Sequence, residues 1–206
     1  MTPAPMVRSR RKAKGAGPER REEILAAALR LFSEHGVHTV STRQIAAAVG
    51  ISQPSLYAYF PTKQVLVEEV TRRAFLDLSE RMTDALRHHP PGNRLAGLAR
   101  VYAEFGFTQP DAYRVAFMLE GVSSRDRGNA DSGLRAGLGA FAIYRDTVTV
   151  ALGPEVGEEE VDLVAQSTWA SLHGLVSLMI ARPTFPWADR ARLVDLHVER
   201  LFPLRR

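Results

Sequence analysis

Between positions 53 and 63 the chain sets Gln53, Ser55, Tyr57, Tyr59 and Lys63 in quick succession, an amide, three hydroxyls and an ammonium with no carboxylate in the stretch. Such a set can hydrogen-bond the edges of nucleobases and hold phosphate oxygens. Elsewhere the residues that could do chemistry do not converge. The chain has no cysteine, which excludes disulfides, thiolate metal ligands and cysteine nucleophiles and suits a reducing cytoplasm. It has no Gly-rich phosphate loop, no Gly-x-Ser-x-Gly turn and no His-Glu-x-x-His pair. His88 and His89 are neighbours, so on a helix their rings diverge. Neither an enzyme nor a metal or cofactor is expected; catalysis would need scattered carboxylates on a helical body, and nothing in the sequence gathers them.

Charge points to the same end of the chain. The net charge is only +4, but residues 1–63 hold ten Lys and Arg against four Asp and Glu, a net of +6, and the remainder carries −2. A polyanion is therefore expected at that end alone. Arg8, Arg10, Arg11, Lys12 and Lys14 lie in a Pro-, Ala- and Gly-rich stretch without periodicity, residues 1–17, which reads as a mobile arm able to touch phosphates or a minor groove. A solvated arm with no partner is the other reading. No apolar core follows it, so a secretory signal is not expected. The most apolar stretch, 168–181, contains His173 and falls short of the ~20 residues of a bilayer span, so no membrane association is expected.

The elements that must position these residues are helical. Ile24, Leu25, Ala28, Leu31 and Phe32 recur at three- and four-residue steps and Gly36 closes that helix. Ser41 and Gln44 form a capping box, with Val40 and Ile45 as its hydrophobic staple, so a short helix starts near Thr42 and stops at Gly50. Ser52 caps another, with Pro54 tolerated in its first turn, and Pro61 ends it. Two short helices joined through Val49-Gly50-Ile51 make a helix-turn-helix, held on the first helix by Ile45, Ala46, Val49 and Leu56. The pattern alone also fits a generic helical hairpin with a solvated face.

Thr62 caps a longer fourth helix bearing Leu66, Val70, Ala74, Leu78 and Met82, and Asn93 a fifth with Leu95, Leu98, Tyr102 and Phe105. A sixth is expected over 112–119, a polar loop over 121–133 and a seventh from Leu134 to Leu152. Glu158, Glu159 and Glu160 open an eighth that reaches Ala181, and Pro186 marks the start of a ninth. No segment reads as a strand. The expected fold is all-α with about nine helices: a three-helix helix-turn-helix domain over 18–65 and a helical ligand-binding and dimerisation domain over 66–206.

Residues Thr42-Arg43-Gln44-Ile45-Ala46, then Gly50-Ile51-Ser52-Gln53-Pro54-Ser55-Leu56-Tyr57-Ala58-Tyr59-Phe60 and Lys63, resemble the DNA-binding domain of the TetR/AcrR family. The resemblance implies that Gln53 and Pro54 touch base edges, an amide pairing with adenine and a proline ring packing on a thymine methyl. It implies that Thr42, Arg43, Ser55, Tyr57, Tyr59 and Lys63 hold the phosphate backbone or adjacent bases of a double-stranded operator. It further implies a homodimer through the last two helices. Trp169, His173 and Gly174 form Trp-x-x-x-His-Gly, similar to the signature of one C-terminal domain type in the family; His173 reads either as a histidine satisfied by a neighbouring carbonyl or as a ligand contact.

Tyr102, Phe105, Phe117, Met118, Phe141, Tyr144, Trp169 and His173 are the candidate lining of an effector pocket, with Glu104, Asp111, Glu120 and Arg145 as further polar anchors. They suit a small apolar or aromatic effector whose binding tilts the fourth helix and releases the operator. A constitutive DNA binder without an effector is the alternative. It would need no such aromatic body.

Overall fold

The computed structural model describes residues 16–118 and 132–202, all-helical with no strand among them. The basic arm up to residue 15 and most of the expected 121–133 loop lie outside the described residues. Helix α1 is Ala16–His35, α2 Thr42–Ala48, α3 Gln53–Tyr57 and α4 Lys63–His88. After a 3-10 turn at Pro91–Asn93 come α5, Arg94–Thr108, and α6, Pro110–Tyr113, which runs on into a π turn at Arg114–Met118. Helices α7, Ser132–Leu152, α8, Glu158–Ala181, and α9, Arg190–Leu201, complete the body.

Two apolar cores organise these helices. The first joins Ile24, Ala28 and Phe32 of α1 to Ile45 of α2, Leu56 of α3, and Leu66, Val67 and Val70 of α4. The second fills the body between α4, α5, α7, α8 and α9. Helix α4 belongs to both. So does the π turn, whose Val115 is buried in the first core while its Phe117 packs on the second. Helix α5 approaches α8 closely because Gly106 has no side chain: a Cβ there would stand 2.4 Å from Val176 Cγ1.

Local chemistry explains the boundaries. Gly36 and Gly50 adopt φ of +82° and +67°, left-handed conformations that glycine reaches without strain, and so end α1 and turn α2 into α3. The expected start of the last helix at Pro186 is corrected to Arg190. Asp189 caps it by accepting the Arg192 N–H at 2.9 Å, a stronger start than a proline alone. Pro186 and Trp187 belong to the preceding turn, where the Trp187 indole N–H donates to the Arg182 carbonyl at 2.9 Å. The sixth helix starts at Pro110, two residues before its expected position, with proline at its first turn. Helix α8, 24 residues long with a stretch whose mean hydropathy reaches 1.2, is long and apolar enough to cross a bilayer by length and composition. Its Val161, Ala165, Leu172, Val176 and Ile180 are nevertheless buried in the body core.

Candidate nucleic-acid interface and ligand cavity

The capping box at the start of α2 forms as the sequence requires: the Ser41 N–H donates to Gln44 Oε1 at 2.8 Å and Ser41 Oγ accepts the Gln44 N–H at 3.3 Å. It orients Thr42, the first residue of α2, toward α3. There Thr42 Oγ1 accepts Gln53 Nε2–H at 2.9 Å and pairs with the Tyr57 hydroxyl at 3.2 Å. Thr42 is 7% exposed. Its hydroxyl is buried against these two protein partners. Arg43, Pro54, Ser55 and Tyr57 are exposed, and Gln53, Tyr59 and Lys63 are half-buried. Ser52 caps α3 by accepting the Ser55 N–H at 3.2 Å, and the two hydroxyls are 2.8 Å apart. Lys63 opens α4 behind this surface, and partial burial pushes its ammonium below the usual lysine range.

The helix pair is braced from two sides. Arg20 of α1 donates to the Val49 carbonyl at 3.0 Å, fixing the turn between α2 and α3. On α4, Glu69 accepts from Arg72 at 2.8 Å, Arg73 at 3.0 Å and Arg21 of α1 at 3.1 Å, and Arg73 also pairs with Glu22 of α1. These donors, Arg72 first, hold the Glu69 carboxyl at about 2, far below its ordinary value. A carboxylate shared by three guanidiniums ties α1 to α4 as one unit.

Behind the first core, α4, α5, the π turn, α7 and α8 enclose a cavity of about 650 Å³. Such a volume falls within the ~300–1,000 Å³ of sites that take drug-sized ligands. Phe75, Leu78 and Met82 of α4 form one wall, Gly137, Phe141 and Tyr144 of α7 another, and Tyr102, Phe117 and Trp169 close the rest.

Residues 24–70 match the bacterial regulatory proteins of the tetR family, and residues 95–201 match the tetracyclin repressor-like C-terminal domain. This chain belongs to the TetR family. Among curated relatives, the nucleoid occlusion factor SlmA of Haemophilus influenzae is 29% identical over 114 residues, 54% of this chain and 52% of that protein. The transcriptional repressor KstR2 of Rhodococcus jostii is 45% identical over 58 residues, 28% of each chain. The match thus spans about half the length of the first of these curated relatives and less of the second. Among solved structures, the TetR fold is shared with the regulator FadR of Bacillus subtilis in complex with stearoyl-CoA, at a TM-score of 0.72, 16% identity, and coverage of 88% of this chain and 97% of that one.

Of the residues expected around a TetR-family effector, Tyr102, Phe117, Phe141, Tyr144 and Trp169 line the cavity. Phe105 does not, being fully buried in the body core, and Met118 is 36% exposed at the end of the π turn. His173 stands behind the wall, and its partners are hydroxyls in place of the expected carbonyl. Its Nδ1 lies 2.7 Å from the Tyr113 hydroxyl and 3.0 Å from that of Tyr102, and the two hydroxyls are 3.0 Å apart. Burial lowers the His173 pKa, which favours the neutral ring. Burial also drives both phenols above the ordinary tyrosine range. The expected polar anchors are engaged elsewhere or exposed: Asp111 accepts from Ser33 Oγ at 2.6 Å, Arg145 pairs with Asp162, and Glu104 faces solvent, while Glu120 is outside the described residues.

Sequence reasoning missed Phe75, Gly137, Leu138 and Gln166 as cavity residues. It read Leu78 and Met82 as plain core, because periodicity reveals an apolar face but not the space left between two such faces.

Proposed function

We propose that this TetR-family chain is a cytoplasmic, homodimeric transcription regulator that grips a palindromic operator when empty and leaves it when a small, largely apolar molecule fills the cavity. The observation that carries this reading is the composition of α4. One rigid helix has Lys63 at the proposed DNA face, Leu66, Val67 and Val70 in the core under the helix-turn-helix, and Phe75, Leu78 and Met82 in the cavity wall. From Lys63 to Met82 it spans about 28 Å. A ligand that prefers a wider cavity tilts this lever, and the Glu69 brace carries α1 with it.

The same reading assigns Gln53 and Pro54 to base edges and Arg43, Ser55, Tyr57, Tyr59 and Lys63 to the backbone or adjacent bases, with Thr42 holding Gln53 and Tyr57 in place. Dimerisation through α8 and α9 is supported by Leu163 and Leu178, 59% and 56% exposed, and by Leu196 on α9, 52% exposed. Small residues, Ser167 and Gly174, lie on α8 between the two leucines, so a partner helix can approach closely. Two heads then read half-sites about 34 Å apart, and a few ångströms of misfit breaks simultaneous docking. Repression is the outcome favoured, as the name of the KstR2 relative states for that protein.

Selection of bound sequences from a random duplex pool tests the proposal. A palindromic motif recovered only without ligand is expected; recovery of no motif refutes sequence-specific binding.

A further inference from the structure

The cavity wall restricts what the effector can be. Resting on the effector reading above, we infer that the ligand is an uncharged, ring-containing molecule that meets polar protein chemistry only at Gln166, and that anionic ligands are rejected. None of the sixteen described residues lining the cavity is charged, and six of them, Phe75, Tyr102, Phe117, Phe141, Tyr144 and Trp169, present rings. The rings pack on one another edge to face, Phe75 on Phe117 at 84° and Phe141 on Trp169 at 61°, so the wall presents aromatic edges and faces.

The polar atoms on those rings are already engaged. The Tyr144 hydroxyl donates to Thr168 Oγ1 at 2.8 Å, and the Tyr102 hydroxyl is held by Tyr113 and His173, with the Trp169 indole as a further partner. Gln166 is the remaining polar wall residue, an amide able both to donate and to accept. It stands at the exposed edge of the cavity, where charge is unfavourable to an anion. Glu158, Glu159 and Glu160 open the same helix and Asp162 lies one turn before Gln166. Two of the adjacent cations are committed: Arg145, one turn beyond Phe141, pairs with Asp162, and Arg81, beside Met82, pairs with Asp77, while Arg135, next to Leu134, is exposed and is not itself part of the wall. A carboxylate or phosphate finds no positive side chain in the described wall, whereas an alcohol or ketone needs only the amide.

The test uses the full chain and its selected operator with four probes: phenanthrene, a hydroxyphenanthrene, a phenanthrene carboxylate and stearoyl-CoA. Binding is read by calorimetry and operator release by fluorescence anisotropy. The alcohol is expected to bind about tenfold tighter than the hydrocarbon and on the order of 100-fold tighter than the carboxylate. Gln166→Leu, an exposed change that leaves folding intact, is expected to erase the advantage of the alcohol over the hydrocarbon and nothing else. Tighter binding of the carboxylate or of stearoyl-CoA overturns the inference, as does an alcohol preference that survives in Gln166→Leu. A chain that still recognises its operator but binds none of the four overturns it as well, and removes the effector reading with it; a charged probe that binds more tightly than the alcohol and releases the operator overturns the inference alone.

Discussion

Thr42→Val isolates the atom on which the DNA-facing surface depends. Valine keeps the shape of threonine and removes Oγ1, which holds Gln53 at 2.9 Å and Tyr57 at 3.2 Å. Both side chains are partly exposed and can turn to water, so the fold itself loses only about 1–2 kcal/mol for two net hydrogen bonds. The larger effect falls on DNA. Each released side chain must be ordered again on docking, at roughly 0.5–1.5 kcal/mol apiece. Two side chains per head and two heads per dimer set a lower bound near 2 kcal/mol, or about 30-fold in operator affinity. Scrambled DNA, bound through phosphates alone, should lose much less. Fluorescence anisotropy with operator and scrambled duplexes, alongside a melting curve, separates the two effects. Operator affinity within about twofold of the parent, or an equal loss on both duplexes, refutes the assignment of Thr42 as the positioning residue.

Three further outcomes follow from the body and the brace. Gly137→Leu drives a side chain into the cavity from a position where even a Cβ would stand 3.0 Å from Phe75 Cζ; it should cost about 1–3 kcal/mol and abolish ligand-induced release while sparing operator binding, so release that persists contradicts the cavity assignment. Tyr113→Phe removes the 2.7 Å bond to His173 and should lower stability by about 1–2 kcal/mol in urea titrations, whereas a neutral effect would mean that the network contributes nothing. Glu69 titrates at about 2 in the fold against 4.5 as its ordinary value, so its stabilisation is complete above 4.5 and is lost as pH falls from there toward 2. Glu69→Gln should therefore cost roughly 1–2 kcal/mol at neutral pH and flatten that acid limb; parallel pH profiles for the two proteins would count against the brace.

The helix-turn-helix was legible because its determinants are local. Ser41, Gln44, Gly50, Ser52 and Thr62 act within a few residues of themselves, and each cap or turn forms where its spacing requires. What was not legible depends on contacts distant in sequence. Thr42 looked like a surface residue until Gln53 and Tyr57, 11 and 15 positions away, folded onto it. His173 found hydroxyls 60 and 71 positions distant, which no motif specifies. The π turn left no mark in the periodicity of Arg114–Met118, yet it sends Val115 to one core and Phe117 to the other. The start of α9 was misjudged because Pro186 is a permissive signal and Asp189, three residues on, is the stronger one.

Two α3 helices lying in successive major grooves of one duplex are the heart of the proposed function, and methylation interference on the selected operator examines that placement directly. Dimethyl sulfate marks guanine N7 in the major groove and adenine N3 in the minor groove. Interference at N7 in two patches about 34 Å apart on one face of the duplex is expected. A single patch, or interference confined to the minor groove, would contradict paired insertion.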